Sequence, residues 1–372
     1  MRNGQVSSIS STGNHPAARF QRAGAAVSRD GRATVRALAA CAVLLAGCAE
    51  RQPGEFSLVE GFAGLVAGDE PRAVLIGRDV LGNGGNAVDA AVAMYFTMAV
   101  TMPSRVGLGG GGVCVVFDNG TKRGEAIEFL PRAAPSGGMV PSGMRAMAAL
   151  HARYGGLRWE QLLAPAETLA RFGHAVSRAF ARDLAAAADR ITANPELERI
   201  YSARRGGLAR AGDRIFQPEL SAVLSGIRQK GAAYLHSGPF TSRLAESSSA
   251  VGMPLTAEDV RRTLPKVRAT VNVRVGSDTA YFAPPRATGG LVTAQMWQIL
   301  TEVESYDDAG ADERPHLLSE AALRAFSQRA GWMASDGSSR EDPAELVDKE
   351  RLERVMADYD AARHTAPDSL SP

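Results

Sequence analysis

The residues whose pattern most directly suggests chemistry are the glycines between Gly107 and Gly112, in the order Gly-Leu-Gly-Gly-Gly-Gly. Their spacing matches the Gly-x-Gly-x-x-Gly fingerprint of loops that hold the pyrophosphate of a dinucleotide. Such a loop must leave a strand and open a helix, because the phosphates sit on the helix N-terminus. Here a predicted helix precedes the loop and a predicted strand follows it, so we expect no nucleotide site. Four successive glycines instead predict positive φ angles and close approach of another backbone segment.

The three cysteines and six histidines offer little further chemistry. Cys41 and Cys48 lie in an apolar N-terminal segment, which leaves Cys114 as the one thiol outside it and no pair for an internal disulfide. We expect Cys114 to be a small core residue; a reactive thiol is the alternative. The histidines are scattered singly, without the spacing of metal ligands, so we predict no metal and no other cofactor.

The segment from Val35 to Glu50 has an arginine, a short apolar core and small residues before a cysteine. This order is typical of a secretory signal, and the core is too short to span a bilayer comfortably. Leu45-Ala46-Gly47-Cys48 resembles the lipobox of bacterial lipoproteins, which implies a signal over residues 1–48 and a lipid on Cys48. Ala49 favours the outer-membrane type, so we predict an anchored protein of the bacterial envelope, on the periplasmic face of the outer membrane. An ordinary signal or an uncleaved anchor is the alternative.

The overall charge changes sign once that segment is set aside. The chain has 42 Lys and Arg against 40 Asp and Glu, but residues 1–48 contain six arginines and one acid, Asp30, which leaves 36 basic and 39 acidic residues. The remainder is mildly acidic and has no electrostatic footprint for nucleic acid. A composition of 45% hydrophobic and 22% charged residues is that of a globular protein.

The elements that must position the glycine loop can be read on either side of it. Before the loop, Asn86 is placed to cap a buried helix from about Ala87 to Val100, with Asp89 accepting from its first turn. After the loop, the β-branched run from Val113 to Phe117 predicts a strand that returns through a hairpin turn to a partner over Arg123 to Phe129.

The rest of the chain alternates helical and extended patterns. We predict a strand over Phe62–Gly68 and a short helix over Pro71–Val80. Residues 140–260 should be mainly helical, with arginine-rich faces that are solvated surface, followed by an antiparallel pair within Val267–Phe282, helices over Leu291–Val303 and His316–Ala334, and a polar, frayed tail over residues 341–372.

Three stretches together resemble the large subunit of gamma-glutamyltransferases, which are N-terminal-nucleophile hydrolases that cleave the γ-glutamyl amide of glutathione. Gly84–Ala93 is similar to the family's helix signature, with Asn86 and Asp89. Gly107–Gly112, with Gly109, Gly110 and Gly111, is similar to its glycine loop. Pro284, Pro285, Gly289 and Gly290 lie in a stretch similar to its Pro-Pro-Ser-Ser-Gly-Gly element. The resemblance implies an α+β fold, a partial layered α/β sandwich with a helical insertion, over residues 49–340.

Departures from the family bear on activity. The family's nucleophile is a threonine in a Thr-Thr-His stretch that becomes an N-terminus on self-cleavage, and this sequence contains no Thr-Thr-His. Thr365 lies near the expected distance, but only seven residues follow it, so we predict no catalytic residue in this chain. The family's arginine that grips the glutamyl α-carboxylate corresponds to Arg132, in a run one residue longer and without the acid; an exposed loop arginine is the alternative.

Three hypotheses follow from the resemblance. The chain is the large-subunit half of a split enzyme whose small subunit is encoded separately, or a non-catalytic exported binding protein, or a truncated product without a stable role. In each case we expect it to be inactive alone. The partners implied are a small subunit, a γ-glutamyl peptide and a membrane reached through the lipid, but no nucleic acid.

Overall fold

The computed structural model describes residues 64–370 as a mixed α+β fold, as predicted. In chain order the first half comprises α1 (Pro71–Gly82), α2 (Ala87–Thr101), β1 (Gly112–Asp118), β2 (Arg123–Phe129), β3 (Arg132–Ala133), β4 (Met139–Val140), α3 (Gly143–Tyr154), α4 (Trp159–Phe172), β5 (His174–Ala175), α5 (Arg178–Ala186), α6 (Ala188–Thr192), α7 (Pro195–Tyr201), β6 (Arg214–Ile215) and α8 (Pro218–Lys230).

The second half comprises α9 (Ala233–His236), α10 (Pro239–Ala250), α11 (Ala257–Arg262), β7 (Lys266–Ala269), β8 (Val271–Val275), β9 (Asp278–Phe282), α12 (Thr288–Gln298), a π-helical turn (Ile299–Val303), α13 (Arg314–Trp332), α14 (Pro343–Leu346), α15 (Lys349–Met356) and a 3₁₀ turn (Pro367–Ser369). Among the described residues, no helix combines the length and the apolar character needed to cross a membrane.

Helix α2 lies at the centre of the largest hydrophobic core. Its Ala and Val side chains are short, so the neighbouring helices and the sheet approach its axis closely, and Val92, Ala93 and Phe96 are fully buried. The predicted capping box is present: the Asn86 side chain accepts from the third backbone N–H of the helix while Asp89 accepts from the N–H of Asn86. The helix start predicted from the sequence is confirmed.

The sheet that follows the glycine loop has the strand order β1–β2–β7, with both pairs antiparallel. Side chains alternate between its two faces. Cys114 and Val116 face the helical core, whereas Val115 and Phe117 lie on the opposite face and are exposed at its hairpin end. The sheet is therefore packed on one side and, within residues 64–370, partly open on the other.

One of the two predictions made for the glycine loop is confirmed. A Cβ on Gly111 would lie 2.3 Å from the Phe129 carbonyl oxygen, so the close backbone approach is confirmed. The prediction of positive φ angles is wrong, because none of the glycines from 107 to 112 has a positive φ. Glycine is needed at position 111 for space, since the end of β2 lies against it.

Two other predictions are wrong. Residues 64–68 form no strand, and residues 62–63 lie outside the described part. Residues 341–370 are not a frayed tail, because α14 and α15 bury Leu346, Leu352 and Met356 against the second and fourth hydrophobic clusters. The charged composition of this segment concealed an amphipathic helix whose few apolar residues share one face.

Candidate functional site

A cluster of charged side chains lies at the end of β2, on the partly open face of the sheet. Glu128 is 2% exposed, and its Oε1 accepts from Arg132 at 2.5 Å while its Oε2 lies 3.5 Å from Arg268 Nε. Lys266 is the cross-strand partner of Glu128, so its side chain lies on the same face. We call Glu128, Arg132, Lys266 and Arg268 the cationic cluster. It contains three positive groups and one negative group.

The charged groups of the cluster do not all have hydrogen-bond partners among the described residues. Arg132 and Arg268 are partly exposed, whereas Glu128 Oε2 is buried and has no hydrogen-bond donor among the described residues. A buried carboxylate is normally surrounded by donors, because an unpaired polar atom costs free energy. The cluster has three positive groups against this one carboxylate, and its two partly exposed guanidinium groups suit a ligand that carries a carboxylate.

The glycine loop holds the end of β2 that carries the cluster. Ser142 Oγ donates to the Phe129 carbonyl at 2.6 Å, and the Gly143 N–H donates to the Gly110 carbonyl at 2.9 Å. Tyr95, from α2, donates its hydroxyl to the Gly107 carbonyl at 3.0 Å, and burial raises the pKa of that hydroxyl far above its usual value. The loop thus fixes the backbone immediately before Arg132.

Arg132, predicted from the sequence to bind a carboxylate, lies on the short strand β3 and is half-buried. It is not an isolated exposed arginine, because its guanidinium is paired with Glu128. Its role toward a ligand stays a prediction. Sequence reasoning missed Glu128, Lys266 and Arg268; the available signal was Glu128 itself, a charged residue within the apolar end of a predicted strand.

Asn86 and Asp89 do more than cap α2. The Asp89 carboxylate accepts from the N–H groups of Gly156 and Leu157 at 3.0–3.2 Å, and Asn86 Nδ2 donates to the Tyr154 carbonyl at 2.7 Å. The two side chains therefore join the start of α2 to the loop between α3 and α4. They hold the scaffold and do not reach the cationic cluster.

The Pro-Pro element follows β9 and leads into α12. A Cβ on Gly290 would lie 2.2 Å from the Ala283 carbonyl oxygen, which explains a glycine there, whereas the position of Gly289 is open. Pro284 lines a cavity of about 340 Å³ beside the end of β7, and Pro285 is half-buried. Among the described residues, no hydrogen bond or ion pair joins the Pro-Pro element to the cationic cluster.

The same element contains a strained residue that the sequence did not reveal. Arg286 has a φ of 85°, in the left-handed region, while its N–H donates to the Gly337 carbonyl at 2.9 Å and its guanidinium pairs with Asp336. A residue other than glycine rarely adopts this conformation.

Thr365 is hydrogen-bonded to two side chains of α13. Its nitrogen is a peptide N–H that donates to Glu320 Oε1 at 2.9 Å, and its hydroxyl accepts from Arg324 at 2.9 Å. Glu320 and Arg324 are fully buried, so this contact anchors the C-terminal segment to α13.

The remaining candidate residues are easily placed. Cys114 packs against the core, as predicted, and burial raises its thiol pKa to about 11, so it is a neutral thiol at ordinary pH. Cys48 lies outside the described residues. No group of three or more His, Cys, Asp and Glu side chains in residues 64–370 is arranged to hold a metal ion.

Comparison with known proteins accounts for the arrangement. Residues 73–138 and 135–371 match the family model described as Gamma-glutamyltranspeptidase. Glutathione hydrolase 3 of Arabidopsis thaliana is 29% identical over 291 residues, which are 73% of this chain and 46% of that protein. The glutathione hydrolase proenzyme of Pseudomonas aeruginosa is 27% identical over 339 residues, or 83% of this chain and 58% of that protein. The chain thus spans about half the length of these relatives.

Solved structures agree in fold. The gamma-glutamyltranspeptidase of Helicobacter pylori aligns with a TM-score of 0.78 at 24% identity, over 86% of this chain and 97% of the compared chain. The transpeptidase CapD of Bacillus anthracis aligns with a TM-score of 0.67 at 25% identity, over 78% of this chain and 98% of the compared chain. With the matched residues covering most of its length, this chain belongs to the gamma-glutamyltranspeptidase family.

Proposed function

We propose that this chain is the large-subunit part of an enzyme that transfers or hydrolyses γ-glutamyl groups, with glutathione-like peptides as substrates. The names of its relatives, glutathione hydrolases and proenzymes, support this reaction class. The chemistry needs a threonine nucleophile with its base and oxyanion donors. Because this sequence contains no Thr-Thr-His, we assign the nucleophile to a small-subunit segment.

The single observation that carries the proposal is the cationic cluster on the family's fold. Arg132 and Arg268 present guanidinium groups at the end of β2, and each can bind a carboxylate through two parallel hydrogen bonds. The α-carboxylate of a γ-glutamyl group is the ligand that this charge favours. Glu128 accepts a hydrogen bond from Arg132 and lies 3.5 Å from Arg268, so it holds both guanidinium groups near the end of β2.

Ligand binding tests the cluster directly. Titration of the chain with L-glutamate and with γ-glutamyl dipeptides, followed by calorimetry, should give binding that Arg268→Ala weakens about tenfold or more, as expected for a charge-assisted hydrogen bond. Arg123→Ala is the matched control, because Arg123 lies on β2 at the opposite end of the strand. Equal losses in the two variants, or unchanged binding in Arg268→Ala, would overturn the assignment.

Activity tests the need for a second segment. The chain alone should not hydrolyse glutathione or a γ-glutamyl anilide, and co-expression with a small subunit that begins with threonine should restore turnover. Turnover by the chain alone that Thr365→Ala abolishes would refute this view. A neighbouring reading frame that begins near Thr-Thr-His would identify the segment.

A non-catalytic binding protein is the second candidate, and one observation favours it. This sequence contains the cationic cluster but no Thr-Thr-His. Ligand binding that persists while no small-subunit segment restores turnover would support the binding protein over the enzyme.

We further propose that Cys48 is lipidated and anchors the chain to the periplasmic face of the outer membrane. The lipobox-like Leu45-Ala46-Gly47-Cys48 motivates this location. Metabolic labelling with a palmitate analogue should mark the wild-type chain and leave Cys48→Ser unmarked; equal labelling of the two would exclude the anchor.

A further inference from the structure

Two phenylalanine rings are exposed side by side where α4 ends and the hairpin of β5 and β6 begins. Phe172 is 60% exposed and Phe216 is 41% exposed. The Phe216 ring packs against Gly173, the residue after Phe172: Gly173 has a φ of 82°, and a Cβ at this position would lie 2.7 Å from the Phe216 ring. Neither ring belongs to the cationic cluster or to the glycine loop.

Three arginines surround these rings. The guanidinium of Arg171 lies 5.5 Å from the centroid of Phe172, and those of Arg204 and Arg214 lie 5.8 and 6.0 Å from the centroid of Phe216. Arg214 also donates to the carbonyls of Phe172 and Gly173 at 3.0 Å, which joins β6 to the end of α4. We call Arg171, Phe172, Arg204, Arg214 and Phe216 the aromatic–arginine patch.

The three arginines differ from their neighbours in charge pairing. Arg199 is paired with Glu196 and Glu219, and Arg205 is paired with Asp213. No carboxylate within residues 64–370 lies within 4.0 Å of Arg171, Arg204 or Arg214. The patch therefore presents two apolar rings together with three arginines that have no carboxylate partner.

The combination of exposed rings and guanidinium groups without a carboxylate partner matches the interface of an anionic bilayer. Phenylalanine rings enter the boundary between headgroups and acyl chains, and arginines beside them meet the phosphates just above it. The two rings expose about 200 Å² of apolar surface, on the basis of the area that an aromatic side chain buries. This area is far below the roughly 1,000 Å² of a stable protein interface, but shallow insertion needs no shape complementarity.

We propose that the aromatic–arginine patch docks reversibly on the surface of an anionic phospholipid bilayer. The rings insert at the interface, while Arg171, Arg204 and Arg214 bind lipid phosphates. The contact is independent of a lipid on Cys48 and of any γ-glutamyl chemistry, so it stands or falls separately from the proposed function.

Vesicle binding tests the docking in the full chain carrying Cys48→Ser, which removes the acylation site. Binding to vesicles of phosphatidylglycerol and phosphatidylcholine should exceed binding to pure phosphatidylcholine. Arg171→Gln with Arg204→Gln should lower the partition coefficient about 25-fold, because each arginine near an anionic surface contributes about fivefold. Phe172→Ser with Phe216→Ser should reduce it as well. Both double variants alter exposed side chains, and circular dichroism checks that they stay folded.

A matched control comes from α13, where Phe326 is exposed and Arg329 lies 5.9 Å from its ring. Phe326→Ser with Arg329→Gln removes one ring and one arginine outside the patch, and it should change the partition coefficient less than twofold. A loss as large as that in the patch variants would mean that any such pair contributes, and it would overturn the assignment.

A local probe separates the patch from the apolar N-terminal segment. Tryptophan placed by Phe172→Trp should shift its emission to the blue on anionic vesicles and be quenched by lipids brominated near the headgroup. Several results would overturn the proposal: no vesicle binding, equal binding to neutral and anionic vesicles, or no quenching. Loss of binding to polyglutamate in the patch variants, with vesicle binding unchanged, would assign the patch to an acidic protein instead.

Discussion

Replacement of Asp89 by alanine should destabilise the fold far more than an ordinary helix cap does. Asp89 is fully buried, and its carboxylate accepts from the N–H groups of Asn86, Gly156 and Leu157 at 3.0–3.2 Å. Alanine removes the acceptor shared by three backbone donors, two of which, Asn86 and Gly156, belong to exposed residues. A hydrogen bond to a charged group contributes about 1.5–3 kcal/mol, and because water can reach two of the three donors, we expect a loss of about 2–4 kcal/mol.

The chain contains its own control for this prediction. Thr256 and Asp259 form a second capping box, at the start of α11, but Asp259 is only partly buried and water can replace its contacts. Asp259→Ala should cost about 1 kcal/mol, the usual effect of losing an N-cap interaction. Asp89→Asn, which keeps one acceptor oxygen in the same volume, should fall between the two alanine variants.

Equilibrium unfolding in urea, followed by far-ultraviolet circular dichroism, measures all three variants against the wild type. We expect the loss of unfolding free energy to decrease in the order Asp89→Ala, Asp89→Asn, Asp259→Ala. If Asp89→Ala costs no more than Asp259→Ala, the contacts between α2 and the loop after α3 contribute nothing beyond the cap, and the buried junction is not what stabilises this region.

Other predictions use the same unfolding assay. Gly111→Ala should cost about 2–4 kcal/mol, because its Cβ would meet the Phe129 carbonyl at 2.3 Å, whereas Gly109→Ala, at an open position, should cost less than about 1 kcal/mol. Arg286→Gly should stabilise the fold by about 0.5–1 kcal/mol, because glycine adopts the left-handed backbone without strain and the exposed ion pair with Asp336 contributes less than this. Asp336→Ala measures the contribution of the ion pair alone. A net loss of stability in Arg286→Gly would contradict the prediction. Burial, assisted by Arg145, lowers the pKa of His236 to about 4. As the pH falls, the unfolded chain therefore binds the proton first, and the free energy of unfolding should decrease by up to about 3 kcal/mol between pH 6.5 and pH 4. His236→Phe should remove this pH dependence of stability.

The sequence predicted most elements that rest on local signals. The limits of α2 and the hairpin of β1 and β2 follow from a capping pair and a turn, and both are confirmed. The burial of α15 was missed because a mostly charged helix with Leu352 and Met356 on one face reads as solvated. The cationic cluster was missed because Arg268 and Glu128 are 140 residues apart in number, and only the pairing of β7 with β2 brings them together.

The partly open face of the sheet and the cationic cluster lie on the same strands, so coverage of this face should affect ligand binding at the cluster. Val115 and Phe117 are exposed on the face that carries Glu128 and, through it, Arg132. Under the proposed function, a small-subunit segment that covers this face also removes water from the guanidinium groups, and charge interactions strengthen as the local dielectric falls. A carboxylate ligand should then bind more tightly in the presence of the segment. By linkage, the ligand should tighten association of the segment by the same factor, so the two affinities measured separately must agree.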